Sequence, residues 1–487
     1  MITSGRRGPG AAAGLALAIF IAALDQTVVV TALPSIITDL EIPFTKLNQA
    51  AWIVTGYLLG YTVAMPLFGR VSDLYGRRRT YILCALLFVI GSLLCGLASD
   101  LYWLIGARML QAAGGGAIVP VAMGIVGDAL PPQKRSMALG AIGAVAEAGG
   151  VLGPLYGAFV IQQLDWRWIF YLNLPLGLMV IASAYLLGQD DGRSRGSVDL
   201  RGAGLIGASL GALTIGLSLE TGPGASPLPA VLLVALAAGL IALFVWVETR
   251  VSEPLLDLKM FGRRGFTAGN LASLLVGMAL ITAMVDVPLF AATILRRSPL
   301  DGGLMLMRLT AALPVGALVG GALCQCLGVR STAALGLALS AAGLYLTGQW
   351  TSEVDQWQLT RDLVLAGLGF GLVIAPVTGS VLNAAGAARA GVASALVTLM
   401  RMVGMMVGLS GLTSWGLGRF NALVAAIPFP MPGGEEAQGA WQERLQAYQQ
   451  GVLGATLTVF HEIFVAAAVV CLLATVVVLF LRGKDGD

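Results

Sequence analysis

Gly69-Arg70-Val71-Ser72-Asp73-Leu74-Tyr75-Gly76-Arg77-Arg78-Arg79 is the stretch on which the reading of this 487-residue chain turns. Its charges cannot lie in hydrocarbon, yet apolar runs flank it on both sides, at about 49–68 and 80–98. Each run is near the ~20 residues a helix needs to cross ~30 Å of bilayer core. The stretch therefore reads as a short loop joining two membrane helices. Gly69 and Gly76 permit a tight turn and close helix approach, and Asp73 beside Arg77, Arg78 and Arg79 offers a charge clasp that can latch two helix ends and release them. The plainer alternative is a positively charged loop that happens to hold one acid.

Working outward, comparable runs fall at about 11–34, 102–128, 136–162, 169–188, 202–219, 228–248, 266–295, 303–327, 331–350, 361–383, 391–417 and 456–481, which predicts fourteen transmembrane helices. The start of the chain, charged and then apolar, resembles a signal peptide, but the apolar run continues to Pro34 and reads as a retained first helix. With the amino terminus inside, 19 of the 29 Lys and Arg residues fall on inner loops and tails. Seven fall on outer loops, and Arg108, Arg308 and Arg401 lie within helices. That positive-inside bias predicts both termini in the cytoplasm and an even number of spans.

Composition agrees. The chain is 57% hydrophobic and 11% charged, against about a quarter charged in soluble domains. A net charge of +3 gives no support to nucleic-acid binding or to an acidic tail. One histidine, His461, and five cysteines in apolar runs leave almost nothing from which to build a zinc site, a haem attachment or a Ser-His-Asp triad. No Gly-x-x-x-x-Gly-Lys-Ser/Thr loop occurs, so ATP is not the expected energy source. An enzyme, a metal site and a resident cofactor are therefore not expected.

The chain repeats weakly: VDVPLF at 285–290 echoes LDQTVV at 24–29, and GGALCQCLGVR at 320–330 is a worn copy of 69–79 that lacks the Asp. Two six-helix halves related by an axis along the membrane normal produce such echoes. The expected organisation is a first bundle at 1–188, a linker with two extra helices and a cytoplasmic amphipathic segment at 189–264, and a second bundle at 265–487. Near the outer side, Trp441, Leu445 and Tyr448 recur at helical spacing among polar residues. They read either as a helix lying in the headgroup region or as a solvated loop helix.

Further motifs surround the loop. Arg108-x-x-Gln111 precedes Gly114, Gly115 and Gly116, and Gly149-x-x-x-Gly153-Pro154-x-x-Gly157 lies on the fifth span. Glycine faces let helices slide, and Pro154 builds in a bend. The loop at 69–79 resembles the signature of the major facilitator superfamily, and the 149–157 stretch is similar to the mark of its antiporter members. Leu24-Asp25-Gln26, with Trp166-Arg167-Trp168-Ile169-Phe170, Asn173 and Pro175, resembles the fourteen-helix drug:proton antiporter branch. WIVTGYLLGYTVAMPLFGR, GPLYG, GLGFGLVIAPV and RMVGMMVG with SWGLGRFN resemble the mycobacterial exporters of triacylglycerides and other lipids, over nearly the whole chain.

That resemblance implies an all-α facilitator fold and assigns roles to the charges at membrane depth, which persist where they work or pair. Asp25 and Arg108 fall at compatible depths on helices that face the central cavity in that family. Asp25 is the expected proton carrier with Arg108 as its modulator, and a static buried pair is the alternative. Glu147 and Arg401 occupy comparable places near the midplane, one per half. They form either a switch that pairs in one state and parts in the other or two charges paired within their own halves. Asp286 and Arg308 lie toward the outer side as a gate or a structural pair. Met402, Met405, Met406, Tyr57 and Tyr156 are the expected lining of an apolar substrate cavity.

The functional expectation is a proton-coupled exporter of hydrophobic or amphiphilic molecules such as triacylglycerides, embedded in a bacterial inner membrane and driven by the proton gradient. Its expected partners are the lipid substrate, protons, the bilayer and a periplasmic or extracellular lipoprotein. A broad multidrug:proton antiporter stands as the alternative, because both substrate classes want an apolar cavity with few charges.

Overall fold

Hydrocarbon offers backbone amides no water to bond, so a chain this apolar satisfies them within helices. The computed structural model describes residues 7–43, 47–129, 132–187, 199–219, 226–251, 258–386, 390–430 and 438–481. Their helices are α1 (Arg7–Asp39), α2 (Leu47–Ala50), α3 (Trp52–Tyr75), α4 (Arg77–Gly96), α5 (Leu101–Ala129), α6 (Pro132–Gln163), α7 (Trp168–Tyr171), α8 (Asn173–Ser183), α9 (Leu200–Ser218) and α10 (Leu228–Glu248). The second part of the chain adds α11 (Arg264–Thr293), α12 (Pro299–Gly348), α13 (Gln356–Ala385), α14 (Ala390–Ala425) and α15 (Gln438–Val478).

Each expected span overlaps one of these helices, but the count differs. Among the described residues, twelve helices are long and apolar enough to cross a membrane, against the fourteen expected. Two causes are visible. The spans expected at 303–327 and 331–350 lie in the single 50-residue run α12, whose backbone leaves helical geometry at Gly328 (φ 79°, ψ 167°). The span expected at 202–219 is the 19-residue α9, which carries Arg201 and five glycines and is not among the twelve. It packs on α10, where Ser209 Oγ donates to the Ala237 carbonyl at 3.3 Å.

A second difference concerns 441–448. The helix expected there is not a separate element: these residues form the first turns of the 41-residue α15, continuous with its long apolar part. Trp441, Leu445 and Tyr448 are each half-buried, and the Tyr448 ring meets Phe429 edge-on at 5.4 Å. At ~1.5 Å per residue, α15 is about 60 Å long, twice the hydrocarbon thickness.

The two glycine turns put the internal repeat in register. Gly76 (φ 104°, ψ 135°) separates α3 from α4 as Gly328 breaks α12. Counting from those turns, Gln325 stands where the first half has Asp73, and Val329 where it has Arg77. Arg330 instead caps a helix end, its Nε donating to the Leu481 carbonyl at 2.7 Å. Arg263 likewise donates to the Ala384 carbonyl.

Glycines set the closest helix approaches. On α6, a methyl group at Gly149, Gly153 or Gly157 would meet carbonyl oxygens of Phe20, Leu24 and Val28 of α1 at 2.5, 2.9 and 2.9 Å. One stripe of α6 is thereby pressed against α1. The next face of α6 meets α12, where Gly303 leaves no room for a side chain beside Pro154 and Ala158. Thr310 Oγ1 of α12 also faces the Val151 carbonyl at 3.5 Å.

Candidate functional site

The centre of the first half is a charged network with almost no solvent exposure: Asp25 is 0% and Arg108 1% exposed. Asp25 comes from the middle of α1, Ser92 from α4, Arg108 and Gln111 from one turn of α5, and Asn173 from the start of α8. Arg108 Nη1 donates to Asp25 Oδ2 at 2.7 Å and to Gln111 Oε1 at 2.7 Å. Asp25 Oδ1 accepts from Gln111 Nε2 at 2.9 Å and from Asn173 Nδ2 at 3.1 Å. Ser92 Oγ accepts from those same two amides at 3.0 and 3.1 Å and donates to the Phe170 carbonyl at 3.0 Å. The Tyr57 ring lies 3.9 Å from the guanidinium carbon, and Phe170 lies beyond it at 5.7 Å.

This arrangement answers the cost of burying two charges, because nearly every lone pair and proton finds a partner. Arg108 Nε is the exception, buried without a bond. Chemically, the carboxylate is held by three side-chain donors, two on Oδ1 and one on Oδ2. The sequence reading brought Asp25 and Arg108 together, and they are together. Gln111 and Asn173 stood in the quoted motifs without a role, and Ser92 carried no signal at all. Tyr57, expected to line a substrate cavity, is buried against Arg108 instead.

The remaining expected residues are arranged differently. Glu147 is exposed on α6 and Arg401 half-buried on α14, and neither makes a hydrogen bond or ion pair among the described residues. Arg401 lines a small cleft with residues of α11 and α13, including Ser273 and Thr378. Asp286 and Arg308 do not pair: Arg308 Nη2 donates to Gln356 Oε1 at 2.7 Å, and Asp286 is half-buried without a hydrogen bond or ion pair. The spacing placed both toward one end, but α12 turns Arg308 toward the start of α13. Met402, Met405 and Met406 are packed at 5%, 4% and 0% exposure, with Met402 Sδ accepting from Gln26 Nε2 at 3.0 Å. They fill the core between helices rather than line open space. Tyr156 faces a cleft of about 440 Å³ on the flank of α1, α6 and α8.

At the arginine-rich end, Asp73 pairs with Arg77 at 3.1 Å across the Gly76 turn. The Arg77 guanidinium rests on Gly124 of α5, in the space a side chain there would occupy. Arg78 stacks on Tyr185 at 5.3 Å, and Arg79 lies on the first turn of α4. At the opposite end, Arg167 Nη1 donates to Asp39 Oδ2 at 2.8 Å and Trp166 Nε1 to the same oxygen at 3.1 Å, a tie the sequence reading missed. It also missed Asp362, 1% exposed, which accepts from Trp350 Nε1 and from Arg361 Nε. His461, the chain's one histidine, packs with Nδ1 3.0 Å from the Gly348 carbonyl at the end of α12.

With this geometry in place, comparison with known proteins is informative. Residues 15–409 match the Major Facilitator Superfamily. A triacylglyceride transporter of Mycolicibacterium hassiacum is 36% identical, over 98% of this chain and 92% of that protein. One of Mycobacterium tuberculosis strain H37Rv is also 36% identical, over 96% of this chain and 93% of that protein. Among solved structures, a bacterial homolog of the human lysosomal transporter Spinster in an inward-facing, unoccupied conformation aligns with TM-score 0.66 at 17% identity. That alignment covers 99% of this chain and 100% of that one. A D-xylose–proton symporter aligns with TM-score 0.63 at 14% identity, over 98% and 99% of the two chains.

Proposed function

The chain belongs to the major facilitator superfamily, and on that premise we propose that it is a proton-coupled exporter of uncharged, hydrophobic lipids of the triacylglyceride class. It is a transporter and not an enzyme. The observation that carries the coupling is the buried Asp25 network, because it joins α1, α4, α5 and α8 through one titratable carboxylate. Protonation of Asp25 removes the counter-charge of Arg108 and weakens the link between α1 and α5. The glycine face of α6 is pressed on α1, and α6 also packs on α12, so a shift of α1 is passed to the boundary between the halves. That is the mechanical content of alternating access.

Identity to triacylglyceride transporters over nearly the full chain supports the substrate class. The charge bias supports both termini in the cytoplasm of a bacterial inner membrane. We read α12 as two spans divided at Gly328, and α9 with α10 as the inserted pair between bundles at 1–188 and 265–487, which gives the fourteen-helix antiporter plan. The proton gradient serves as the energy source without a cofactor, and a periplasmic or extracellular lipoprotein is the natural acceptor for a substrate with no solubility in water. Glu147 and Arg401, apart in this conformation, are assigned to the opposite state as a closing pair.

The test is reconstitution in proteoliposomes with an imposed pH gradient and a fluorescent triacylglyceride. Movement is expected with the wild-type chain and falls to the level of empty liposomes in Asp25→Asn. Robust efflux of a small cationic dye without lipid movement would overturn the lipid reading and leave the multidrug antiporter standing.

A further inference from the structure

The cleft on the flank of α1, α6 and α8 shares Asn173 with the charged network but is otherwise lined by apolar side chains and Tyr156. Phe20 and Leu24 of α1, Leu152, Leu155 and Phe159 of α6, and Leu176 of α8 enclose about 440 Å³, within the ~300–1,000 Å³ usual for small-molecule sites. Leu152 and Phe159 are 43% and 56% exposed, so the cleft opens outward from the bundle, where the bilayer lies. Its form follows from the glycine stripe: Gly149, Gly153 and Gly157 hold α6 against α1, which leaves the neighbouring stripe 152, 155, 156 and 159 turned to the side.

Two polar groups interrupt this apolar wall. Asn173 is buried, with its amide donating to Asp25 and Ser92. Tyr156 makes no hydrogen bond among the described residues. A hydroxyl surrounded by hydrocarbon is costly unless it finds an acceptor. No charged side chain lines the cleft, which disfavours a phosphate, a carboxylate or an ammonium group. Tyr156 stands seven residues before the end of α6 at Gln163, so it lies ~10 Å below that end. The ester carbonyls of a phospholipid are tethered near the interface by their headgroup. Those of an uncharged glyceride have no such tether and reach this depth.

We propose that this cleft is a bilayer-facing subsite for one acyl arm of an uncharged glyceride, with an ester carbonyl accepting a hydrogen bond from the Tyr156 hydroxyl. The proposal deepens the lipid-export reading and rests on it for the substrate class. It gives the substrate a waiting position on α6, which packs on both α1 and α12, beside Asn173, whose amide donates to Asp25.

The experiment uses the full-length chain in phospholipid nanodiscs doped with a triacylglyceride carrying a diazirine on one acyl chain, followed by irradiation and peptide mapping. Labelling is expected on 149–163 and 173–183. Leu155→Trp, which fills the cleft, is expected to abolish that labelling while labels elsewhere on the chain persist and report a folded protein. Tyr156→Phe, which keeps the packing, is expected to weaken it about three- to tenfold, the size of one net hydrogen bond. Equal labelling of the same peptides by a diazirine phosphatidylcholine, or labelling indifferent to both substitutions, would overturn the subsite. If liposomes carrying the protein move triacylglyceride but these peptides stay unlabelled, the subsite fails and the export reading stands. If the peptides are labelled in a chain that moves no lipid, the export reading fails and the subsite stands.

Discussion

In the amino-terminal half, the carboxylate of Asp25 is held by three side-chain donors and its cation is stacked on Tyr57. In the carboxy-terminal half, Asp286 and Arg401 sit within their spans without a hydrogen bond or ion pair among the described residues, and the buried acid that is paired, Asp362, lies near a helix start beside Arg361. The loops differ in the same sense: Asp73 and Arg77 form an ion pair, where Gln325 and Val329 cannot. One half therefore holds its membrane-depth charges in a bonded network, while Asp286 and Arg401 in the other make no such bond among the described residues. A rocking machine needs both, because a charge already satisfied within its own half cannot report on the position of the other.

The comparison is most exposed to a pair of substitutions at its two cations. Arg108→Met strands a buried carboxylate and is expected to cost about 3–5 kcal/mol, whereas Arg401→Met is expected to stay within about 1 kcal/mol. Thermal unfolding of the two purified variants, followed by tryptophan fluorescence, measures the difference. Equal losses would mean that Arg401 is as embedded as Arg108 and would break the contrast.

A smaller effect sharpens it. Asn173→Ala removes one of the donors to Asp25 and one of those to Ser92, for an expected loss of about 1–3 kcal/mol. Ser273→Ala, at the cleft beside Arg401, is expected to change stability by less than about 0.5 kcal/mol. The same melts would reveal a reversal.

Smaller still is the effect at the loops. Asp73→Asn is expected to shift the population toward the state open at the arginine-rich end by about 1 kcal/mol, while Gln325→Asp, which has Val329 where Arg77 would be, shifts nothing. Distances between spin labels on α4 and α13 at that end read the shift, and unchanged distributions in Asp73→Asn would count against a clasp.

How far these features were legible in the sequence depended on whether their signal was local. Asp25 and Arg108 could be read because a charge within an apolar run is conspicuous, and compatible depths allow the two to pair. Ser92 could not, because a serine inside 80–98 is an ordinary small residue until folding brings it to Asn173 and Gln111, 81 and 19 residues away. Asp39 gave no local signal, because Trp166 and Arg167 close on it from over 120 residues on. The methionines around Arg401 were visible, but which way they face depends on the close approach of α11 at Gly277 and α14, a tertiary fact. Span boundaries were legible where polar residues bracket them, as at 228–248. They were not at 441–448, where helix continues through a segment whose polarity argued for a separate element.

Gly124 carries a consequence best put in the language of genetics. The Arg77 guanidinium occupies the space of its missing side chain, and the obstacle to a methyl group there is the movable tip of Arg77 rather than backbone. A Gly124→Ala allele should thus leave the protein abundant and folded yet behave as a phenocopy of Arg77→Ala, although the two positions lie far apart in sequence and only one of them bears charge. The two alleles combined should be epistatic, no more severe than either alone. A screen that scores positions by charge would pass over 124, whereas one that scores by phenotype would group it with the loop.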